Sequence, residues 1–225
     1  MKTIKKLIIL FTTTFLPINV LAQNIKMSKE NLEANQVHLS FIKMGGEDLV
    51  KVAADTSIKG TDEATIVKIK GTDFKNGSIE IKVLSRLLKN APASSRGFIG
   101  LAFRIGEKNE KFESIYIRPT NGRADDQIRR NHSIQYFAFP DYRFDKLRKT
   151  EPEKYESYAD MGLNEWVTMR IEVEGAKAKL FLNNAHQPSL VVNDMKLGSE
   201  NSGSIGLWVG NWTEGYFKDL KVVKK

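Results

Sequence analysis

The sequence predicts an all-β protein in which two antiparallel sheets pack face to face. Three observations carry this reading. From Ala64 onward apolar and polar residues alternate with period two instead of recurring at helical spacing. Gly, Asn and Asp interrupt the alternation at short intervals, as hairpin turns require. The stretches between the interruptions have strand length: "ATIVKIKG", "SIEIKVLSR", "GFIGLAFRIG", "FESIYIRPT", "HSIQYFAF", "WVTMRIEVEG", "KAKLFLNN", "SGSIGLWVGN" and "YFKDLKVV".

Taken in order, the first segment stands outside this pattern. Residues 1–22 are an expected export leader, with Lys2, Lys5 and Lys6 ahead of an apolar run from Leu7 to Val20 that closes on Val20-Leu21-Ala22. Thr12 to Thr14 and Pro17 break the run, which falls short of the roughly 20 apolar residues of a membrane span. Residues 23–225 are then expected to form one domain, periplasmic or secreted, with no membrane partner after the leader is removed. The chain contains no cysteine, so neither disulfides nor thiolate chemistry is available. Stability must come from a core, and a chain of this length buries roughly 70% of its unfolded surface. The net charge of +8 includes the three leader lysines, and the remaining basic residues are scattered without an aromatic-interleaved stripe, which argues against nucleic acid as a partner.

Within 23–61 the pattern is less regular, and "VHLSFI" and "DLVKVAA" are the expected first strands. Further on, "KNGS" at 75–78 carries the Asn-Gly pair that tolerates positive φ, and "EGAK" at 174–177 joins two alternating runs. The segment 140–162, "PDYRFDKLRKTEPEKYESYADMG", is far longer than the usual connection of about 4 to 6 residues and is read as a charged insertion with a short helix near 142–149. It has the length of a lid or binding element, or of a solvated crossover between the sheets.

Alternation splits each strand into two faces. Ile79, Ile81 and Val83 share one face, as do Ile99, Leu101, Phe103 and Ile105, then Ile115 and Ile117, then Ile205, Leu207 and Val209. The opposite faces carry Arg104, Tyr116 and Arg118, with Trp208 between Gly206 and Gly210. An indole with no covering neighbour on its own strand is a platform for the apolar face of a sugar, and the arginines and tyrosine supply hydrogen bonds to hydroxyls or carboxylates. The alternative is that Trp208 packs beneath the 140–162 insertion.

Between two of the strands lies "RADDQIRRNH" (123–132), which holds charges of both signs and one of three histidines and is read as a loop. Acid and base chemistry needs such groups. His132 is the candidate base, with Asp125 or Asp126 to orient it or to ligate a metal. The bland account is a loop held by Asx turns and by Arg129 and Arg130. Glu172 and Glu174 share a strand face at a spacing that suits glycoside cleavage, but their neighbours Thr168 and Arg170 are ordinary solvent-side residues. His-x-x-x-His and Cys ligand spacings are absent; calcium held by Asp and carbonyl oxygens needs no fixed motif outside the EF-hand, so a divalent ion stays open and no organic cofactor is expected.

With the strands laid out, "GLNEWVTMRIEVEGAKAKLFLNN" followed by "SGSIGLWVGN" resembles the strand pair and following strand of the concanavalin A-like lectin and glucanase superfamily. The resemblance covers about 64–223 and implies a two-sheet jelly roll. Within that superfamily the chain is most similar to 3-keto-disaccharide hydrolase domains and laminin-G-like exported bacterial proteins. This implies a carbohydrate partner and glycoside hydrolase or lyase activity on (3-keto) saccharides, with His132, Asp125 and Asp126 catalytic and Arg104, Tyr116, Arg118, Arg130, Gln135 and Trp208 holding substrate. The Glu-x-Asp-x-Glu catalytic strand of the laminarinase branch is missing, which favours the alternative of a non-catalytic lectin-like or protein-binding module.

Overall fold

A computed structural model describes residues 22–225, so the expected leader lies, apart from Ala22, outside the described residues. In chain order the elements are β1 (Gln23–Asn24), β2 (Leu32–Asn35), β3 (Val37–Met44), β4 (Glu47–Ala54), β5 (Ile66–Phe74), β6 (Gly77–Leu87), β7 (Ile99–Ile105), β8 (Phe112–Ile117), α1 (Pro119–Gly122), α2 (Gln127–Asn131), β9 (Ile134–Phe139), α3 (Phe144–Thr150), β10 (Glu156–Ser157), β11 (Trp166–Glu174), β12 (Lys177–Leu182), β13 (Leu190–Val192), β14 (Gly203–Val209) and β15 (Thr213–Lys224). One sheet runs β13-β12-β11-β6-β15-β4-β3, with β1 paired on β15; the other runs β10-β9-β8-β7-β14-β5-β2. Every pairing is antiparallel. The all-β, two-sheet expectation holds, and each quoted run contains a strand.

The core lies between the sheets. Ile79, Ile81 and Val83 from β6 and Met169, Ile171 and Val173 from β11 meet Leu101, Phe103, Ile115, Leu207 and Val209 from the other sheet, and all are buried. The period-two pattern places them there, because successive side chains on a strand point to opposite faces.

The second sheet is buried on its outer face as well. Every residue of β7 and β8 is inaccessible, including those whose alternation pointed outward. Phe112 stacks on Phe139 with centroids 5.1 Å apart, Tyr116 meets Phe137 at 5.7 Å, and Phe137 meets Trp208 at 5.4 Å. A layer of aromatic residues thus coats this face. The 140–162 segment supplies part of the cover: α3 carries Phe144, whose backbone N–H donates to Asp62, and Leu147, which is buried.

Cross-strand register explains how the layer closes. Trp208 on β14, Gly100 on β7, Tyr116 on β8 and Gln135 on β9 occupy one row. Gly100 leaves the space between Trp208 and Tyr116 empty, so the two rings stack at 4.6 Å across the intervening strand. A Cβ at Gly100 would sit 2.6 Å from the Cα of Tyr116 and 2.3 Å from the Ile115 carbonyl, contacts that backbone cannot relieve cheaply.

Three expectations fail here. Trp208 is 1% exposed and its Nε1 donates to the Glu63 carbonyl, so it is packed and hydrogen-bonded rather than an open platform. Arg104 is fully buried at φ +54°, where the pairing of β7 with β14 shifts register; its guanidinium donates to the carbonyls of Lys75, Gly175 and Gly198. It ties three turns together and does not line the cleft described below. The stretch 123–132, expected as a loop, folds into α2, with Asp126 as N-cap accepting from the Arg129 backbone N–H at 3.0 Å.

A candidate ligand-binding cleft

A cleft of about 510 Å³ opens where the aromatic layer ends, within the range of small-molecule sites. Its lining comes from five places in the chain: Thr61 and Asp62 before β5, the loop 92–98 before β7, Tyr116 to Asn121 at the end of β8, Ile128 to His132 on and after α2, and Gly210 to Trp212 between β14 and β15. Phe144 and Arg148 of α3 close the remaining side.

At its base is a buried polar knot centred on Arg118, whose side chain continues the outer face of β8 and is 5% exposed. One nitrogen, Nη1, donates to Glu156 and to the His132 carbonyl, each at 3.0 Å; Nη2 donates to the Tyr116 hydroxyl at 2.9 Å and to Gln135 at 3.0 Å. Glu156, on β10, accepts from Arg148 as well. Burial pushes the Glu156 carboxyl up, but Arg148 and Arg118 outweigh it and hold the group below its ordinary value. A buried carboxylate persists in this way when each of its oxygens is paired.

Two titratable groups of the wall are displaced from their usual behaviour. Asp62 is buried, and loss of solvent raises its pKa to about 6 against the lowering pull of the Phe144 N–H, Arg118, Tyr116 and Arg143. For His132 burial again comes first, followed by the charges of Arg148 and Arg118, and together they lower its pKa despite Glu156. The imidazole is therefore neutral at neutral pH, with Nε2 3.6 Å from Glu156. Asp62 (φ +50°) and Trp212 (φ +58°) both hold positive φ, costly for a bulky residue such as tryptophan and of a kind that collects at binding sites.

The cleft also gathers polar atoms that have no protein partner. Ser95 Oγ, Asn121 Oδ1 and Arg129 Nε are buried and unbonded, and all three residues line the cavity. Ser95 is 6% exposed and Asn121 4%. Buried polar groups are ordinarily satisfied, and leaving one unpaired costs about 1–3 kcal/mol. All three belong to residues of one wall, although each unbonded atom is itself closed to solvent.

The structure brings His132, Tyr116, Arg118 and Trp208 to this cleft, Trp208 as part of its floor. Gln135 sits behind, bracing Arg118. The other expected site residues are elsewhere. Asp125 and Asp126 are exposed, neither lines the cleft, and the carboxylate within reach of His132 is Glu156. Arg130 turns away to donate to the Tyr158 hydroxyl at 2.8 Å. Glu172 pairs with Arg170 in the other sheet. Sequence reasoning missed Asp62, Arg96, Asn121, Arg129, Phe144 and Trp212 as residues of the cleft; they lie in separate turns and short helices, which give no signal until they converge. Among the described residues no group of three or more His, Asp or Glu side chains is placed to share a metal ion, and no helix is long and apolar enough to cross a membrane.

In sequence the chain matches no family model and no curated protein. In structure it is similar to a carbohydrate-binding module from Bacillus subtilis, with 13% identity and a TM-score of 0.53 over 84% of this chain and 96% of that one. A Bacillus subtilis protein of unknown function with a galectin-like fold gives 10% identity and a TM-score of 0.50 over 88% of this chain and 94% of that one. The fold is thus the concanavalin A-like jelly roll, carrying a small helical insertion.

Proposed function

We propose that this protein recognises a carbohydrate and that the cleft between Asp62, Asn121, Arg129 and Trp212 is where it does so. The observation that carries the reading is a cavity of about 510 Å³ whose wall sets aromatic rings, Phe144 and Trp212 among them, beside the polar side chains of Asp62, Asn121 and Arg129. A sugar ring offers both things such a wall lacks: hydroxyls that donate and accept at short intervals, and an apolar face for an aromatic ring. Trp212, partly exposed and lining the cavity, takes the stacking role first expected of Trp208. The shared fold with a carbohydrate-binding module supports this reading. Export, resting on the leader at 1–22, fits a protein that meets glycans outside the cytoplasm.

A second reading, glycoside cleavage, has one observation in its favour. Asp62 has a pKa of about 6, where a carboxylic acid can deliver a proton near neutral pH, and a neutral His132 shares its cleft. In that version Asp62 protonates the leaving oxygen as the glycosidic bond breaks, and His132 takes the proton of the water that bonds to the anomeric carbon. Glu156, already committed to two arginines, holds His132 in place.

A glycan array probed with the wild type, Trp212→Ala and Asn121→Ala tests the first reading: a retained glycan whose signal falls about tenfold or more in both variants supports it, the loss of roughly one 1.4 kcal/mol interaction. Unchanged retention in both would remove the cleft from the account. Incubating the retained glycan with wild type, Asp62→Asn and His132→Ala then separates the two readings. Cleavage by the wild type alone establishes an enzyme, whereas intact glycan in all three establishes a binding module.

A further inference from the structure

The charges of the cleft carry the ligand's description further. Its lining holds four guanidiniums, from Arg96, Arg118, Arg129 and Arg148, against the single carboxylate of Asp62. Glu156, behind the wall, pairs with Arg118 and Arg148. Arg96 and Arg129 have no such partner: among the described residues neither has a carboxylate within 4.0 Å. Arg96 Nη1 donates to the carbonyls of Ala93 and Ser95 at 2.7 and 3.0 Å. Arg129 Nη2 reaches the Thr120 carbonyl at 3.4 Å, and its Nε, buried, reaches nothing.

These cations also feel one another. Burial first, then the charges of Arg129 and Arg118, lower the pKa of Arg96. Like charges collected in a partly desolvated wall make the empty cleft electrostatically unfavourable, and a bound anion relieves this where a neutral ligand does not. A guanidinium fork matches the paired oxygens of a carboxylate or sulfate and engages them bidentately.

We propose that the cleft takes an anionic saccharide, a sugar bearing a carboxylate or sulfate group that Arg96 and Arg129 engage. This rests on the saccharide reading above and narrows it to a charge class.

The test is titration calorimetry of the purified protein with a uronic-acid oligosaccharide, a sulfated oligosaccharide, a neutral oligosaccharide and inorganic sulfate. One charged oligosaccharide is expected to bind at least tenfold more tightly than the neutral one and to weaken as salt rises. Arg96→Gln and Arg129→Gln should each reduce that affinity roughly tenfold or more, with Arg129→Lys, which keeps the charge but not the fork, in between. Thermal melts verify folding, and the salt dependence of the wild type stands as a readout if a variant fails to fold. The ratio of uronate to sulfated binding identifies which anion is carried. Equal affinity for the neutral oligosaccharide, charged-glycan binding indifferent to both variants, or inorganic sulfate binding as tightly as any glycan would each overturn the inference. Neutral glycan bound in a Trp212-dependent way with no charge preference leaves the saccharide reading standing alone, and no binding to any glycan sinks both.

Discussion

Asp62 shows at a single residue how the site is at odds with stability. An unfolded Asp titrates near 3.8 and this one near 6. Between those values the folded chain keeps a proton that the unfolded chain has released, so stability falls as pH rises through the window and the full cost stands above pH 6. The shift corresponds to about 3 kcal/mol. Asp62→Asn, whose amide oxygen can still accept from the Phe144 N–H, is therefore expected to be more stable than the wild type by up to about 3 kcal/mol at pH 7.5, with the gain vanishing near pH 4. Denaturant unfolding at the two pH values checks this, and an equal effect at both would contradict it. The tryptophans divide in the opposite sense. Trp208, stacked and fully packed, should cost about 3–5 kcal/mol when replaced by Ala. The partly exposed Trp212 should cost distinctly less and lose binding instead; melts of the two variants make the comparison.

Among the elements, β8, β9 and β10 meet at the Arg118–Glu156 pair, in which both side chains are at most 5% exposed. Removing one charge strands the other in the interior. Glu156→Gln is expected to destabilise the fold by about 3–5 kcal/mol, more than the exposed Arg123–Asp160 pair contributes. Equal stability of Glu156→Gln and Asp160→Asn in urea would show the knot to be ordinary surface chemistry. The strands themselves were legible, because period two survives in a single sequence. Their outer faces were not, since Tyr116 is met by Phe98 and Phe137 and Trp208 bonds to the Glu63 carbonyl, residues distant from each in the chain. In α2 the cue was present, an Asp at the N-cap position, but a helix of five residues has too little periodicity to stand out. The same helix divides its residues by direction: Arg129 and Ile128 line the cleft, Arg130 faces Tyr158, and Asp126 serves the backbone. Composition could flag the ten residues as unusual, but only the helical turn separates ligand-facing from structural side chains.

At the scale of the whole molecule, the jelly roll contributes rigidity and a location. The two sheets fix strand ends and turns, and the turns before β5, before β7, after β8 and after β14 converge at one end of the aromatic layer. Site residues recruited from so many turns explain why no compact motif announces them, while the fold is readable from one strand pair and its neighbour. A ligand is predicted where Trp212 and the arginines converge, not on the outer face of the first sheet, where Tyr216 and Trp166 lie under Arg86 and Lys218. The most direct measurement is a crystal structure of the protein soaked with the glycan that binds most tightly. The predicted result is a sugar ring against Trp212 with its charge on Arg96 and Arg129. A ring bound on the outer face of the first sheet, with the cleft holding only water, would contradict it.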